Sequence, residues 1–226
     1  MLVWSGISQI DNVTPIGLFV TGNSRNVKTG DMIQTWIMRL DMEPHAAVKA
    51  GSDAAICGDC PYRAGAGCYV TTHQAPLSVW RAHRGKPVAS MAAISERFFG
   101  TPLRIGSYGD PCAVPLTVWH TLLRLVNAPY HTGYSHQWRA FPEFRSLLMA
   151  SVDSETERTE ASYQGWRTFR VAREALPGKR EIVCPNTTRN VSCADCGLCD
   201  GMQSETDSRK SIVIAAHGAK KGRIVG

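Results

Sequence analysis

Seven of the eight cysteines fall into two groups whose spacing suits metal chemistry. Cys57, Cys60 and Cys68 form C-x2-C-x7-C, and Cys184, Cys193, Cys196 and Cys199 form C-x8-C-x2-C-x2-C, leaving Cys112 apart. The opening MLVWSGISQIDNV has neither a basic n-region nor a long apolar h-region, so no signal peptide is expected and the cytoplasm is the expected location. In that setting clustered thiols read as metal ligands before disulfides. Cys193, Cys196 and Cys199 can converge on one ion if the chain turns tightly, which Gly197 and Gly201 allow. A tetrahedral zinc, with sulfurs at about 2.3 Å, needs a fourth ligand, either Cys184 or His217. C-x2-C-x2-C is also part of the ferredoxin run that holds a [4Fe–4S] cluster. In the first group, Cys57 and Cys60 could be half a zinc site, with Cys68 third and His73 or Cys112 fourth. Three cysteines with one open position equally suit a cluster that binds a substrate at its unique iron. The plain alternatives are buried thiols without metal in the second group, and loop cysteines or a redox pair in the first.

Two carboxylates stand at comparable places. Asp110 lies in GSYGDP and Asp153 in MASVDSETE. Facing one pocket, they could divide the work of nucleophile and general base. Each could instead cap a helix, which Asp at a strand-to-helix turn does routinely. His136, in HTGYSHQW, could carry a proton or bond a base edge, or be a satisfied, half-buried histidine. Tyr108, Tyr134 and Trp138 could stack a nucleobase or fill the core. His45, His83, His120 and His131 show no usable pattern.

The elements that must position these residues alternate. PHAAVKAG reads as a short helix ended by Gly51, and PLSVWRAH and Met91 to Phe99 as further helices. DMIQTWIMRLDM has mixed periodicity and fits strand or helix. From residue 103 onward, LRIGSY, YHTGYSH, FRSLLMASVD, RTFRVA, EIVCP and SIVIAAHG are short apolar runs. VPLTVWHTLLRLV and SETERTEASYQGW between them are helical in pattern. Strands alternating with helices predict βα units and a parallel sheet, with ligands at the carboxyl ends of the strands. Asp110, His136, Asp153, Cys184 and His217 fall at those ends. The expected fold is α/β: a compact, TIM-like (β/α) barrel with short helices or missing units, because a full barrel takes about 250 residues. Its metal-binding loops lie near residues 57–68 and 184–199.

The 226 residues and 24.7 kDa fit one domain, residues 1–226, which can bury roughly 70% of its unfolded surface without disulfides. At 43% hydrophobic and 19% charged, disorder is excluded. No apolar stretch approaches 18 residues, so a soluble protein without a membrane partner is expected. The surplus of 25 Lys and Arg over 19 Asp and Glu gives +6, compatible with a polyanionic partner. Apart from Lys220, Lys221 and Arg223, the basic residues are spread along the chain.

Together KTGDMIQTWIM, ICGDCPYRAGAGCYV, RIGSYGDP, HTGYSHQW, MASVDS, GWRTFRV, EIVCP, CADCGLCDG and IVIAAHG resemble short phage and bacterial proteins placed beside the DpdA proteins. Those are DNA-acting relatives of tRNA-guanine transglycosylase. The resemblance covers most of the chain. It implies a (β/α) barrel, a zinc site of three cysteines and one histidine, and exchange of guanine in DNA for a 7-deazaguanine base such as preQ0. Phage DNA would thereby be protected from host restriction, in the host cytoplasm. Cys193, Cys196, Cys199 and His217 would hold the zinc, although their C-x2-C-x2-C departs from the C-x-C-x2-C of the tRNA enzyme. Asp153 would attack the deoxyribose C1′ and Asp110 would help deprotonate the incoming base, on a nucleotide taken out of the stack. An early cysteine loop, a GDP turn after a later strand and a late cysteine group also resemble radical-SAM proteins. Their C-x3-C-x2-C is replaced here by C-x2-C-x7-C. A third expectation is a non-catalytic, zinc-bearing nucleic-acid binder.

Overall fold

A hairpin starts the structure because the chain turns back within seven residues. β1 (Leu2–Ile7) and β2 (Pro15–Thr21) pair antiparallel, a geometry that short connections permit and parallel pairing does not. The turn is held by Asp11, whose carboxylate accepts from the Val13 and Thr14 amides and the Thr14 hydroxyl. β3 (Ile33–Arg39) continues antiparallel to β2, so the ambiguous DMIQTWIMRLDM is a strand. The computed structural model describes residues 1–22, 26–63, 66–216 and 222. His217, the candidate fourth zinc ligand, and Lys220, Lys221 and Arg223 lie outside the described residues.

From β3 onward the pairing is parallel. α1 (Pro44–Lys49), α2 (Ala54–Cys57), α3 (Ala75–His83) and α4 (Met91–Phe98) lead to β4 (Leu103–Tyr108). α5 (Leu116–Leu125) leads to β5 (His131–Ser135), whose connection to β6 (Met149–Val152) holds only two 3-10 turns, Gln137–Arg139 and Pro142–Ser146. α6 (Glu155–Tyr163) precedes β7 (Thr168–Ala172), and a loop leads to β8 (Glu181–Val183). α7 (Pro185–Arg189) and α8 (Cys193–Cys196) precede β9 (Ser211–Ala215), which inserts between β7 and β8. The order β1-β2-β3-β4-β5-β6-β7-β9-β8 leaves β1 and β8 as the two edges. The fold is thus α/β with a largely parallel, open sheet; the expected barrel does not close through strand pairing. No helix among the described residues is long and apolar enough to cross a membrane.

β2, β3 and β6 are buried in near-continuous runs because both faces of the sheet are covered. Irregular chain covers part of the concave face. The segment before β3 bonds the second cysteine segment, with Cys193 N donating to Lys28 O at 2.9 Å and Ala194 N to Thr29 O at 2.9 Å. The chain then crosses the amino ends of β5 and β6, where Gly133 N donates to Cys199 O and Gly201 N to Leu147 O. A side chain on Gly201 would meet the Ser146 carbonyl carbon at 2.4 Å, so the approach requires glycine. Buried Arg167 donates to Asp200 Oδ1 at 2.9 Å and pins this crossing to the start of β7.

Arg209, which pairs with Asp200 and Asp207, completes that anchor. Hydrogen bonding to Arg209 holds the Asp207 carboxyl well below the usual carboxylate range. Folded protein therefore takes up that proton less readily than unfolded chain, and the stabilisation is present above about pH 4 and lost as pH falls towards about 2. Asp207→Asn should flatten the acid side of a plot of unfolding free energy against pH. An unchanged acid slope would show that the pair contributes nothing to folding.

Candidate active site

Alternate residues of parallel strands point to one face, and on the concave face they line a cavity of about 450 Å³. Arg104, Gly106 and Tyr108 come from β4, Thr132 and Tyr134 from β5 with His136 just beyond it, and Ser151, Phe169, Val171 and Ile214 from β6, β7 and β9. All seven grouped cysteines line the same cavity. Cys112 does not; it is buried in the core with its thiol 3.2 Å from Ser135 Oγ. The two groups meet the cavity from opposite ends of the strands. The first is tied to the carboxyl ends, through Asp110 N to Ile56 O at 2.6 Å and Gln137 Nε2 to Asp59 Oδ1 at 2.6 Å. The second lies along the amino ends, with Cys199 beside Gly133 and Cys193 beside Lys28.

Sequence reasoning left both aspartates open between capping and chemistry, and the structure separates them. Asp110 is the cap. Its Oδ1 accepts from Cys112 N at 3.0 Å and Ser135 Oγ at 2.7 Å, and its Oδ2 from His136 N at 2.9 Å. Burial nevertheless pushes its carboxyl above the usual range, against donors that favour the charge. The preceding Gly109 makes this turn with φ 82°, in contact with Ile37 of β3. Asp153 does not cap α6. Ser154 accepts from Glu157 N at 3.1 Å, and Glu157 Oε2 accepts from Asp153 N at 2.8 Å, a variant of the reciprocal capping box.

The Asp153 carboxylate turns instead to His136, Oδ2 lying 3.2 Å from Nε2. Burial works to lower the His136 pKa, but Asp153 and the Cys60 thiol beside the ring outweigh it and hold it well above its ordinary value. Tyr62 stands edge-on to the imidazole, ring centres 5.9 Å apart, and its hydroxyl and Asp153 Oδ1 are buried without hydrogen-bond partners. Cys60, His136, Asp153 and Tyr62 thus form one polar cluster beside the carboxyl-end cysteines. His136 lines the cavity and Asp153 lies behind it.

Thiol chemistry fits metal binding at both ends. Burial raises the Cys57 pKa well above the ordinary thiol value, and neighbouring Cys60 and Cys68 add to the rise. Burial likewise pushes Cys199 up to about 12, with Cys184, Cys193 and Cys196 near enough to contribute. A cation offsets the mutual repulsion that ionised thiols at these positions would feel. Among the described residues, no group of three or more His, Cys, Asp or Glu side chains stands arranged to hold a metal ion as it is.

Of the expected stacking residues, Tyr108 and Tyr134 line the cavity, and Tyr134 packs on Phe169 with ring centres 4.1 Å apart. Trp138 does not; it is 1% exposed in the core, with the Arg139 guanidinium 4.0 Å over its ring. Sequence reasoning passed over Tyr62 and Arg104. The first sits in the cysteine loop itself, and the second interrupts an otherwise apolar strand run, which was the available signal.

A double-mutant cycle on His136→Ala and Asp153→Ala should give a coupling of about 1 kcal/mol or more in unfolding free energy, since each change alone leaves the other group buried and unpaired. Ser154→Ala should cost about 1 kcal/mol as a lost cap and leave that coupling in place. Additive effects of the His136 and Asp153 changes would refute the pair. No protein-family model, no curated protein and no solved structure matches this chain.

Proposed function

We propose that the protein is an iron–sulfur enzyme of the radical-SAM kind. Cys57, Cys60 and Cys68 would hold a [4Fe–4S] cluster, and Cys184, Cys193, Cys196 and Cys199 a second, closed metal centre of zinc or iron–sulfur. The carrying observation is that three cysteines, and not four, gather at the carboxyl ends of the parallel strands around one cavity. Three thiolates leave one cluster position for a small molecule. The order of parts supports the same reading: the cysteine loop follows the first parallel strand, and the GDP turn follows the second. In that class the cluster supplies the single electron that cleaves S-adenosylmethionine. The chain's own groups then have definite tasks. Asp110 fixes the turn that faces the cysteine loop, and His136, held charged against Asp153, can hold or deliver a proton at the cavity wall.

A DNA transglycosylase exchanging guanine for a 7-deazaguanine such as preQ0 is the second reading. Asp153 favours it, because its carboxylate is not used as a helix cap. Against it, Asp110 commits both oxygens to fixed donors, and Asp153 does not line the cavity that would receive the base.

Protein purified without oxygen should contain iron and acid-labile sulfide and show a broad band near about 400 nm. Replacing Cys57, Cys60 and Cys68 together by Ala should remove about four iron per chain and leave the metal of the other group. One zinc per chain with no visible band would overturn the iron–sulfur reading. Deazaguanine nucleosides in DNA from cells making preQ0 and this protein would establish the transglycosylase instead.

A further inference from the structure

Arg104 is the charged group in this cavity that no metal reading uses. It projects from β4 into the lining, with its guanidinium between the two cysteine loops. Nη2 donates to Tyr69 Oη at 2.8 Å, next in sequence to Cys68, and Nη1 donates to Thr29 Oγ1 at 3.2 Å, whose carbonyl is bonded by Ala194. Two of its five N–H groups are used, leaving three. Burial works to lower its pKa, and Tyr69, Tyr134 and Cys193 raise it; no carboxylate is among its charged neighbours. Of the described residues in the lining, Asp110 is the one carboxylate, and it is held at the carboxyl ends by its own donors. Lys28 lies in the same wall as Thr29.

A buried guanidinium facing a cavity without a counter-ion is costly unless an anion arrives to pair with it. The arginine fork matches carboxylate and phosphate oxygens in paired hydrogen bonds, which a lysine does not reproduce. We infer that Arg104, with Lys28 in the adjoining wall, is an anion-binding subsite, and that a molecule entering this cavity carries a carboxylate or phosphate held there. Its remaining part then extends along the strands towards Cys57, Cys60, Cys68 and His136. The inference rests on the cavity and the unpaired cation, and holds for either metal.

Two other roles would leave Arg104 in the same place. It could be a strut between the loops that carry Tyr69 and Thr29, or the counter-ion of thiolates in the second cysteine group. The test separates all three on the whole metal-loaded protein, using inorganic phosphate followed by phosphorus NMR line width, S-adenosylhomocysteine, and the decarboxylated form of S-adenosylhomocysteine. Wild type, Arg104→Met and Arg104→Lys are compared, with metal content and thermal midpoint measured on each. Saturable phosphate binding should weaken about tenfold or more in Arg104→Met and less in Arg104→Lys, at unchanged metal content. If the anion is the carboxylate of the sulfonium co-substrate, S-adenosylhomocysteine should lose affinity in Arg104→Met while its decarboxylated form binds both proteins alike. If the anion belongs to another substrate, phosphate alone should respond. Equal phosphate binding in wild type and Arg104→Met, or none in wild type, would overturn the subsite. Loss of zinc or iron from Arg104→Met would overturn it in favour of the counter-ion. Should Arg104→Met fail to fold, Arg104→Lys decides: undiminished phosphate binding with a lowered midpoint would make Arg104 a strut.

Discussion

One carboxylate joins the parts on which the cavity depends. Asp110 takes hydrogen bonds from the turn after β4 and from Ser135 and His136 at the end of β5, while its own amide bonds Ile56 in the first cysteine loop. Hydrogen bonds to a charged acceptor contribute about 1.5–3 kcal/mol each, more than neutral ones. At 8% exposure water cannot replace them. Two strand ends and a loop more than fifty residues upstream are thereby fixed relative to one another. Without that fixation the cysteine loop would have only short-range turns to hold it, because its helix α2 spans four residues. The same bonds turn the His136 backbone so that its ring reaches Asp153 and Cys60.

A cavity so rich in thiols also has to manage charge. Ionised sulfur is disfavoured throughout it, as the raised Cys57 and Cys199 pKa values show. The compensating positive groups are placed at different depths: His136 at the carboxyl ends and Arg104 between the groups. His136 has a carboxylate partner and Arg104 has none. A paired cation keeps its charge whatever enters the cavity, whereas an unpaired one draws in an anion. The first arrangement suits a group that works on a proton and the second a group that recognises a ligand.

Much of this was legible in the residues. Parallel strands, the helices around them and polar residues at the strand ends followed from alternating periodicity, and Asp110, His136 and Asp153 stand beyond consecutive parallel strands. The antiparallel start was not legible, because LVWSGI carries only a weak alternation, and its partner is set by a seven-residue connection that Asp11 closes. Closure was overestimated for a related reason. β5 and β6 are joined by 3-10 turns and β9 inserts inside β8, and apolar runs do not encode order in a sheet. The aspartates were misjudged because capping depends on which of two adjacent residues faces the helix. With Asp153 and Ser154 side by side, the Glu157 three residues after Ser154 decides for the serine.

The separation of the two cysteine groups constrains function more than their number does. Both reach one cavity, yet the first is bound into the carboxyl ends and the second across the amino ends, where Gly201 and Arg167 lock the crossing chain. In parallel α/β sheets the carboxyl ends carry the chemistry, because the loops there can vary without disturbing strand packing. Four thiols at the opposite end, on a segment that also bonds the approach to β3, occupy the place of a missing strand contact. A metal held there would tie Lys28 and Thr29 to β5 across the open side of the sheet, doing by coordination what strand pairing does in a closed barrel. Three thiols beside a charged histidine have no such bracing task, because Asp110 and Gln137 already hold their loop. Their incomplete ligand set is therefore best accounted for by something that comes and goes in the cavity.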